Sequence, residues 1–158
     1  MNTEQFMTQI MPQAGLKVIC TQETSQRAHK TITWFKPHYF NTVSEAAKAA
    51  LDLDALGNNV FYAVNSYGQN FRGPNCDQIY RTRANVVACR SLYDDLDIDP
   101  ENIAKYDSKQ AARVDIARFE ITAALDLTII DSGGGYHLYT SLDEDADLKV
   151  WTRLSAKK

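Results

Sequence analysis

Apolar and polar side chains alternate along residues 91–98, and this period of two predicts a β-strand with one buried face. Leu92, Leu96 and Ile98 share the face that is expected to be buried, and Pro100 helps to end the strand. The other face is expected to carry Tyr93, Asp95 and Asp97.

A helix is predicted over about residues 42–56. Thr42 and Glu45 have the spacing of a capping box, in which each residue satisfies a backbone N–H of the other. The alanine-rich run that follows ends at Gly57, the residue type best able to adopt a left-handed backbone after a helix. A second helix is predicted to begin at Asp107 or Ser108, with a buried stripe at the helical period formed by Ala112, Ile116, Phe119 and Ala123.

The remaining elements follow from shorter patterns. Residues 1–16 are typical of a short helix or arm, residues 65–75 of a loop, and residues 79–90 of a helix or turn. Further strands are predicted over residues 16–20, 30–36 (ended by Pro37), 60–64, 127–130 and 136–140. Interleaved strands and helices without internal repeats favour one domain, built as an α/β or α+β palm-like layer over residues 1–158.

Composition favours a soluble intracellular protein. At 158 residues and 44% hydrophobic content, the chain is long enough to bury a core without metal or disulfide support. Its three cysteines, Cys20, Cys76 and Cys89, lack the C-x-x-C spacing of zinc and redox motifs and are interpreted as buried or free thiols in a reducing cytoplasm. No apolar run reaches the roughly 18 residues of a membrane span, and the N-terminus lacks the order of a secretory signal.

The net charge of −3 provides no general attraction to nucleic acid. A basic stretch containing Arg72, Arg81, Arg83 and Arg90 nevertheless precedes an acidic one containing Asp94, Asp95, Asp97, Asp99 and Glu101. This order suits a site that handles both a metal and a polyanion, although a solvated surface of mixed charge has the same composition. We expect Arg81 and Arg83 to lie near the site where such a metal binds, and to hold a phosphate group or a nucleic-acid template.

Asp95 and Asp97 are the candidate metal ligands. Side chains two apart in a strand point the same way, with Cα atoms about 6.6 Å apart, so the two carboxylates repel unless cations lie between them. Oxygen ligands of this kind suit Mg²⁺ or Mn²⁺. The alternative is an acidic strand end that enters a solvated turn.

Residues 132–139 form a second candidate motif, in which three consecutive glycines follow Ser132 and precede His137. Glycine N–H groups can approach an anion closely. Strand alternation places the His137 side chain on one face of the strand and the apolar side chains of Tyr136 and Leu138 on the other face. The glycine spacing matches neither the P-loop nor the dinucleotide-binding fingerprint. The alternative is a hairpin turn before a strand with a core histidine.

Together, the Asp95-Leu96-Asp97 strand, the intervening helix and the Ser132 to Tyr139 segment resemble the first two motifs of the archaeo-eukaryotic primase superfamily. The resemblance is to the primase-polymerase domains of phages, plasmids and mobile elements, and it covers about residues 60–150. It implies an α+β fold with a primase-type palm, an RRM-like sheet flanked by helices.

The resemblance also implies a function in DNA replication. Asp95 and Asp97 are expected to bind catalytic Mg²⁺ or Mn²⁺, with His137 as the third catalytic residue. The incoming nucleoside triphosphate is expected to contact Ser132, Gly133, Gly134, His137 and Arg83. The implied partners are nucleoside triphosphates, a single-stranded DNA template and a fused or associated helicase, in the cytoplasm of a bacterium or phage-infected cell and without a membrane.

One departure from the family pattern leaves two functions open. The family carries a third acidic residue on a later strand, and Lys158 is reached before that strand is expected, so the chain is interpreted as a fragment that lacks the third acidic motif. Asp143, Glu144, Asp145 and Asp147 follow the histidine strand closely and are predicted to form a solvated loop. A non-catalytic nucleotide- or nucleic-acid-binding module is the alternative to a nucleotidyl transferase. A rolling-circle nuclease is disfavoured, because no two histidines flank a single residue.

Overall fold

The computed structural model describes residues 1–27, 30–69 and 81–156. Within these residues the chain has the predicted α+β class, with two antiparallel sheets and four helices. The helices are α1 (Thr3–Ile10), α2 (Val43–Ala55), α3 (Lys109–Ala123) and α4 (Leu148–Ser155). The strands are β1 (Lys17–Arg27), β2 (Lys30–Phe40), β3 (Val60–Tyr62), β4 (Asn65–Tyr67), β5 (Val86–Asp97), β6 (Thr128–Asp131) and β7 (Gly135–Ala146). No described helix has the length and apolar character needed to cross a membrane.

The strands are ordered β2-β1-β3 in one sheet and β4-β5-β7-β6 in the other. The chain divides into two compact units: the first unit is Met1–Arg90 with Asp143–Lys158, and the second unit is Ser91–Leu142. Each unit has its own buried cluster. That of the first contains Val18, Cys20 and Tyr67. That of the second contains Ala112, Ile116, Leu127, Tyr136 and Leu138.

Helix α2 begins as the sequence predicts. The Thr42 hydroxyl accepts a hydrogen bond from the Glu45 N–H at 3.2 Å, and the Glu45 carboxylate accepts one from the Thr42 N–H at 3.0 Å. These bonds to Thr42 lower the pKa of Glu45. Gly57 follows the helix with φ of +80°, the left-handed conformation expected of a glycine there.

The first sheet extends further than predicted. β1 continues to Arg27, and β2 runs through Pro37, which was expected to end it. Pro37 pairs with Cys20 in the antiparallel register. β2 lies at the edge of the sheet, where a residue without an N–H can face away from the neighbouring strand and costs no ladder hydrogen bond.

The segment around the start of β5 also differs from the prediction. Asn65–Tyr67 was expected to be loop, but it is strand β4 and pairs with residues 86–89. Of the predicted helical or turn-like segment 79–90, residues 83–85 form one 3₁₀ turn and residues 86–90 belong to β5. Val86 and Val87 are β-branched, and pairing with β4 selects the extended form.

Helix α3 begins at the predicted cap, where the Ser108 hydroxyl accepts from the Ala111 N–H at 3.2 Å. Only half of its predicted stripe is buried: Ala112 and Ile116 join the core, whereas Phe119 and Ala123 are exposed. The contacts of α3 with the core cluster of the second unit are therefore made by its first half.

The acidic stretch after His137 was predicted to be a solvated loop, and Asp143, Glu144 and Asp147 are indeed exposed, but the stretch forms a strand and a helix cap rather than a loop. Residues 143–146 belong to β7. The Asp145 carboxylate accepts hydrogen bonds from the N–H groups of Gln13 and Ala14 at 2.7 and 2.9 Å, and it pairs with Arg90 at 3.3 Å. Asp147 caps α4, a helix that was not predicted, through the N–H groups of Lys149 and Val150. These partners compensate the carboxylates and allow them to occupy ordered positions.

Candidate functional site

The carboxylates of Asp95 and Asp97 lie on the solvent face of β5. Leu96 and Ile98 pack against the core cluster of the second unit, while Tyr93, Asp95 and Asp97 are exposed. The predicted alternation of this strand is therefore confirmed.

His137 lies on the same face as Asp95. Its neighbours Tyr136 and Leu138 are buried in the core cluster, and its own side chain is partly exposed, at 31%. Tyr93 contacts Tyr139, and Asp95 contacts His137. From the first pair to the second, the residue number increases by two on β5 and decreases by two on β7. This is the register of directly opposite residues on antiparallel strands. The expectation that the imidazole is partly exposed on the carboxylate face is confirmed.

The distance predicted between His137 and the carboxylates of Asp95 and Asp97, with room for a nucleotide between them, is wrong. A span of roughly 6 to 12 Å was expected from the reach of a metal-bound triphosphate. The His137 Nε2 lies 3.6 Å from the Asp95 Oδ1, in direct contact. Directly opposite side chains on neighbouring strands have Cβ atoms only about 4.5 to 5.5 Å apart, which explains the short distance.

Tyr93 completes this face of the second unit and was not predicted as a site residue. Its ring meets the His137 imidazole edge-on, with centroids 5.6 Å apart, and its centroid is 5.3 Å from that of Tyr139. Edge-to-face contacts of this kind fix ring orientation. The available sequence signal was the position of Tyr93 two residues before Asp95, on the same strand face.

Lys105 is a second residue that sequence reasoning missed. Its Nζ lies 3.0 Å from Asp97 Oδ2 and 4.0 Å from Asp99 Oδ2. The loop after β5 folds back through hydrogen bonds between the backbones of Asp99 and Tyr106, which brings Lys105 onto the carboxylates. The hydrogen bond to Asp97 raises the pKa of Lys105, and the charges of Asp97, Asp99 and Asp95 add to that effect. The carboxylates of Asp97 and Asp99 thus attract the ammonium group of Lys105.

Asp95 and Asp97 could hold a magnesium or manganese ion only in a site of the open kind. Within the described ranges, no group of three His, Cys, Asp or Glu side chains is arranged to enclose a metal. Mg²⁺ is commonly held by only one or two carboxylates, with water and substrate phosphates completing its shell. The Lys105 ammonium already contacts Asp97 Oδ2, so a metal ion at that oxygen would displace it. Asp95 and Asp97 are the residues that would hold the ion.

The glycine turn is narrow, and part of its hydrogen-bonding capacity is already used. The Ser132 N–H donates to the Gly135 carbonyl at 3.1 Å, and the Gly134 carbonyl accepts from the Ile98 N–H at 3.0 Å. Gly133 has φ of +85°, and its N–H donates to the Asp131 carboxylate at 2.8 Å. A phosphate bound at this turn would therefore find the Gly133 N–H already hydrogen-bonded to Asp131. Ser132, Gly133 and Gly134 are exposed.

Asp131 anchors the turn from the opposite face of the sheet. Asp131 pairs directly with Tyr136, so the two side chains share the face that packs on α3 rather than the face of His137. The Lys109 Nζ donates to both carboxylate oxygens of Asp131 at 2.6 and 2.8 Å. Lys109 and Arg113 also lie over the Tyr136 ring, at 5.7 and 4.7 Å from its centroid.

We expect Asp131→Asn to destabilise the second unit at neutral pH. The hydrogen bond from Lys109, followed by that from Gly133, lowers the pKa of Asp131 below its unfolded value of about 3.9. A depressed folded pKa stabilises the protein above the unfolded pKa, and this stabilisation is lost as the pH falls through the folded pKa. Urea unfolding of both proteins should give a constant difference above about pH 4 that shrinks below it. A difference independent of pH would refute the ion-pair role.

The remaining predicted site residue, Arg83, belongs to the first unit. Its guanidinium donates to the Thr152 hydroxyl at 3.4 Å. Arg81, from the same unit, donates to the Cys20 sulfur at 2.7 Å. Their predicted place beside the metal stays a prediction. Cys20 and Cys89 are buried free thiols, and burial raises the pKa of Cys89 to about 11; Cys76 and Arg72 lie outside the described residues.

Comparison of the chain with protein families, with curated proteins and with solved structures finds no match.

Proposed function

We propose that the second unit is the metal- and nucleotide-binding core of a primase-polymerase, a DNA-directed nucleotidyl transferase that makes or extends primers in the replication of a phage or mobile element. The sheet that carries it is proposed to be a primase-type palm. The observation that supports the proposal most is the contact of His137 with Asp95, two residues before Asp97 on the same exposed strand face. Asp95 and His137 are 42 positions apart in the sequence, and this contact joins the two segments whose resemblance to primase motifs suggested the function.

The chemistry of phosphoryl transfer explains why these groups belong together. Bound Mg²⁺ or Mn²⁺ would neutralise phosphate charge and assist the attacking hydroxyl. Asp95 and Asp97 supply oxygen ligands without enclosing the ion, which leaves positions for phosphate oxygens. The imidazole of His137 already lies against one oxygen anion, that of Asp95, and can donate to a phosphate oxygen instead. In this proposal, Ser132 and the exposed glycine turn contact the rest of the triphosphate.

We expect His137→Ala to weaken Mn²⁺-dependent binding of nucleoside triphosphate by about tenfold or more, the effect of losing one charge-assisted hydrogen bond. Stability should change little, because the partly exposed ring leaves no deep cavity. Calorimetric titration measures the affinity. His38→Ala is the matched control, since His38 contacts Thr21 in the first unit and has no proposed role in binding. Equal nucleotide affinity in wild type and His137→Ala would remove His137 from the proposed site.

Incorporation of labelled nucleotide on a single-stranded DNA template tests the reaction itself. A nucleotidyl transferase is expected to extend a primer or start one in the presence of Mn²⁺, with deoxynucleotides and ribonucleotides tested separately. Nucleotide binding without incorporation would contradict the enzymatic proposal for this chain and support the non-catalytic binding module.

A further inference from the structure

Helix α3 has apolar side chains on two opposite faces. Ala112 and Ile116 lie on the face that packs in the core cluster of the second unit. Val114, Ala117 and Ile121 lie on the opposite face, within an arc of about 60°, because an α-helix turns by about 100° per residue. We call these three residues the outer stripe.

The outer stripe is exposed to solvent. Val114 is 46% exposed, Ile121 is 83% exposed, and Ala117 between them is also exposed. A helix on the surface of a domain normally presents polar residues opposite its buried face, whereas a helix that is apolar on both sides is normally covered on both. A continuous exposed apolar stripe of this kind indicates a contact surface for another molecule.

The charged residues on one flank of the outer stripe are self-complementary. Arg113 and Glu120 lie on the same flank, near opposite ends of the stripe. Arg113 is exposed and Glu120 is partly exposed. In an antiparallel pair of identical helices related by a twofold axis, each flank meets the same flank of the second copy with its ends reversed. Arg113 of each copy then lies opposite Glu120 of the other, and opposite charges at such flanking positions fix the orientation of paired helices.

The other flank of the outer stripe is neutral. Arg118 Nη1 lies 3.4 Å from Asp115 Oδ1 within the same helix, so this pair approaches a second copy without net charge. The charges of the two arginines and two carboxylates beside the stripe cancel, which distinguishes this surface from one that attracts a polyanion or a polycation. A second copy of the same chain is therefore the partner that the charges favour.

The twofold axis of such a pair passes close to Ala117. Val114 of one copy then faces Ile121 of the other, and the small side chain of Ala117 at the crossing allows the two helices to approach closely. A helix of 15 residues is about 22 Å long, so the pair buries less than the roughly 800 Å² per partner of a stable interface. The dimer should therefore be weak and dependent on concentration.

We propose that the outer stripe is the interface of a homodimer, in which α3 packs antiparallel against α3 of a second copy of this chain. The core face of α3 packs on the side of the sheet that carries Tyr136 and Leu138, whereas His137 and Asp95 lie on the other side. Dimerisation through the outer stripe therefore leaves both candidate sites open. The proposal goes beyond the nucleotidyl transferase function and does not depend on it.

Sedimentation equilibrium of the full chain, without metal or nucleotide, tests the interface. The wild type is expected to shift from monomer to dimer as its concentration rises. Ile121→Glu should weaken dimerisation at least tenfold, because it places two carboxylates in the apolar contact, and the high exposure of Ile121 means that the fold should tolerate it. Ile103→Glu is the matched control: Ile103 is fully exposed in the loop before α3, outside the outer stripe, and this variant should dimerise as the wild type does.

Three results of this experiment would overturn the proposal. The first is a wild type that stays monomeric up to about 1 mM, a concentration at which even a weak dimer is populated. The second is an unchanged dimer in Ile121→Glu, or an equal loss in Ile103→Glu. The third is a monomeric wild type that binds phosphatidylserine vesicles and loses this binding in Ile121→Glu, which would assign the outer stripe to a lipid surface.

Charge exchange on the flank tests the antiparallel arrangement. Arg113→Glu leaves two acidic residues on the flank and Glu120→Arg leaves two basic ones, so each variant alone should dimerise about three- to tenfold more weakly than the wild type. An equimolar mixture of the two variants restores opposite charges across the pair and should dimerise about as tightly as the wild type. A mixture that dimerises no better than either variant alone would show that Arg113 does not face Glu120 of a second copy.

Discussion

Replacing Gly135 by alanine is expected to destabilise the second unit by about 3 kcal/mol or more, the upper range for overpacking in a core. A Cβ at Gly135 would overlap the Leu96 carbonyl oxygen and lie 3.2 Å from the Cα of Asp97. Those atoms are backbone and cannot rotate away as a side chain can. Relief requires β7 to separate from the strand that carries Asp95 and Asp97, so the candidate site should be lost together with stability.

Gly134→Ala is the matched control for this prediction. A Cβ at Gly134 meets nothing within 4 Å, and the residue does not have a positive φ, so the change should cost less than about 1 kcal/mol. Both tryptophans lie in the first unit, so hydrogen exchange of β5 and β7 is the suitable measurement for the second. Similar exchange protection in the two variants would show that β5 and β7 do not pack as closely as the structure indicates.

The centre of the candidate site was predictable because side chains near it on β5 and β7 alternate between a buried and an exposed face. Leu96 and Ile98 identify the buried face of β5, and Tyr136 and Leu138 identify that of β7. Once both buried faces are set, Asp95, Asp97 and His137 must lie on exposed faces. Pairing of the two strands then brings them together, and no residue outside the two motifs is needed for that inference.

The errors in the fold prediction have a common physical cause, which is that the stabilising partner lies far along the chain. Asp145 is ordered by the backbone of Gln13, 132 positions away, and by Arg90, 55 positions away. β2 continues past Pro37 because of its place at the sheet edge. A local reading of acidic or proline-containing segments assigns them to solvent, since the compensating groups are not local.

The same limitation applies to the charged residues around the site. Lys105 reaches Asp97 only because the loop after β5 folds back, and Lys109 reaches Asp131 only because α3 packs on the sheet. Neither pairing has a sequence signature. The phosphate role of the glycine turn was inferred from its free N–H groups, whereas Asp131 already engages one of them. Packing thus decides which polar groups remain available to a ligand.

We expect Asp95→Asn and Asp97→Asn each to weaken Mn²⁺ binding at least tenfold, about 1.4 kcal/mol of binding free energy. Each amide keeps the shape of the side chain but removes a negative charge and an anionic oxygen ligand, on which a divalent cation depends. Both side chains are about half exposed, so the fold should tolerate the exchange. The free Mn²⁺ signal in electron paramagnetic resonance gives the affinity. Asp52→Asn, at an exposed acid of α2 that pairs with Lys48, is the control and should bind as wild type does.

Lys105→Met should change Mn²⁺ affinity in the opposite direction. The Lys105 ammonium contacts Asp97 at 3.0 Å and must leave when a metal ion takes the same oxygen. Removing this competitor is expected to raise the affinity about two- to fivefold, the scale of an exposed ion pair. The gain should vanish in an Asp97→Asn background, because the amide no longer holds either cation. Weaker Mn²⁺ binding in Lys105→Met would show that Lys105 supports the site. Equal affinity in wild type, Asp95→Asn and Asp97→Asn would show that these carboxylates bind no metal, whatever Lys105 does.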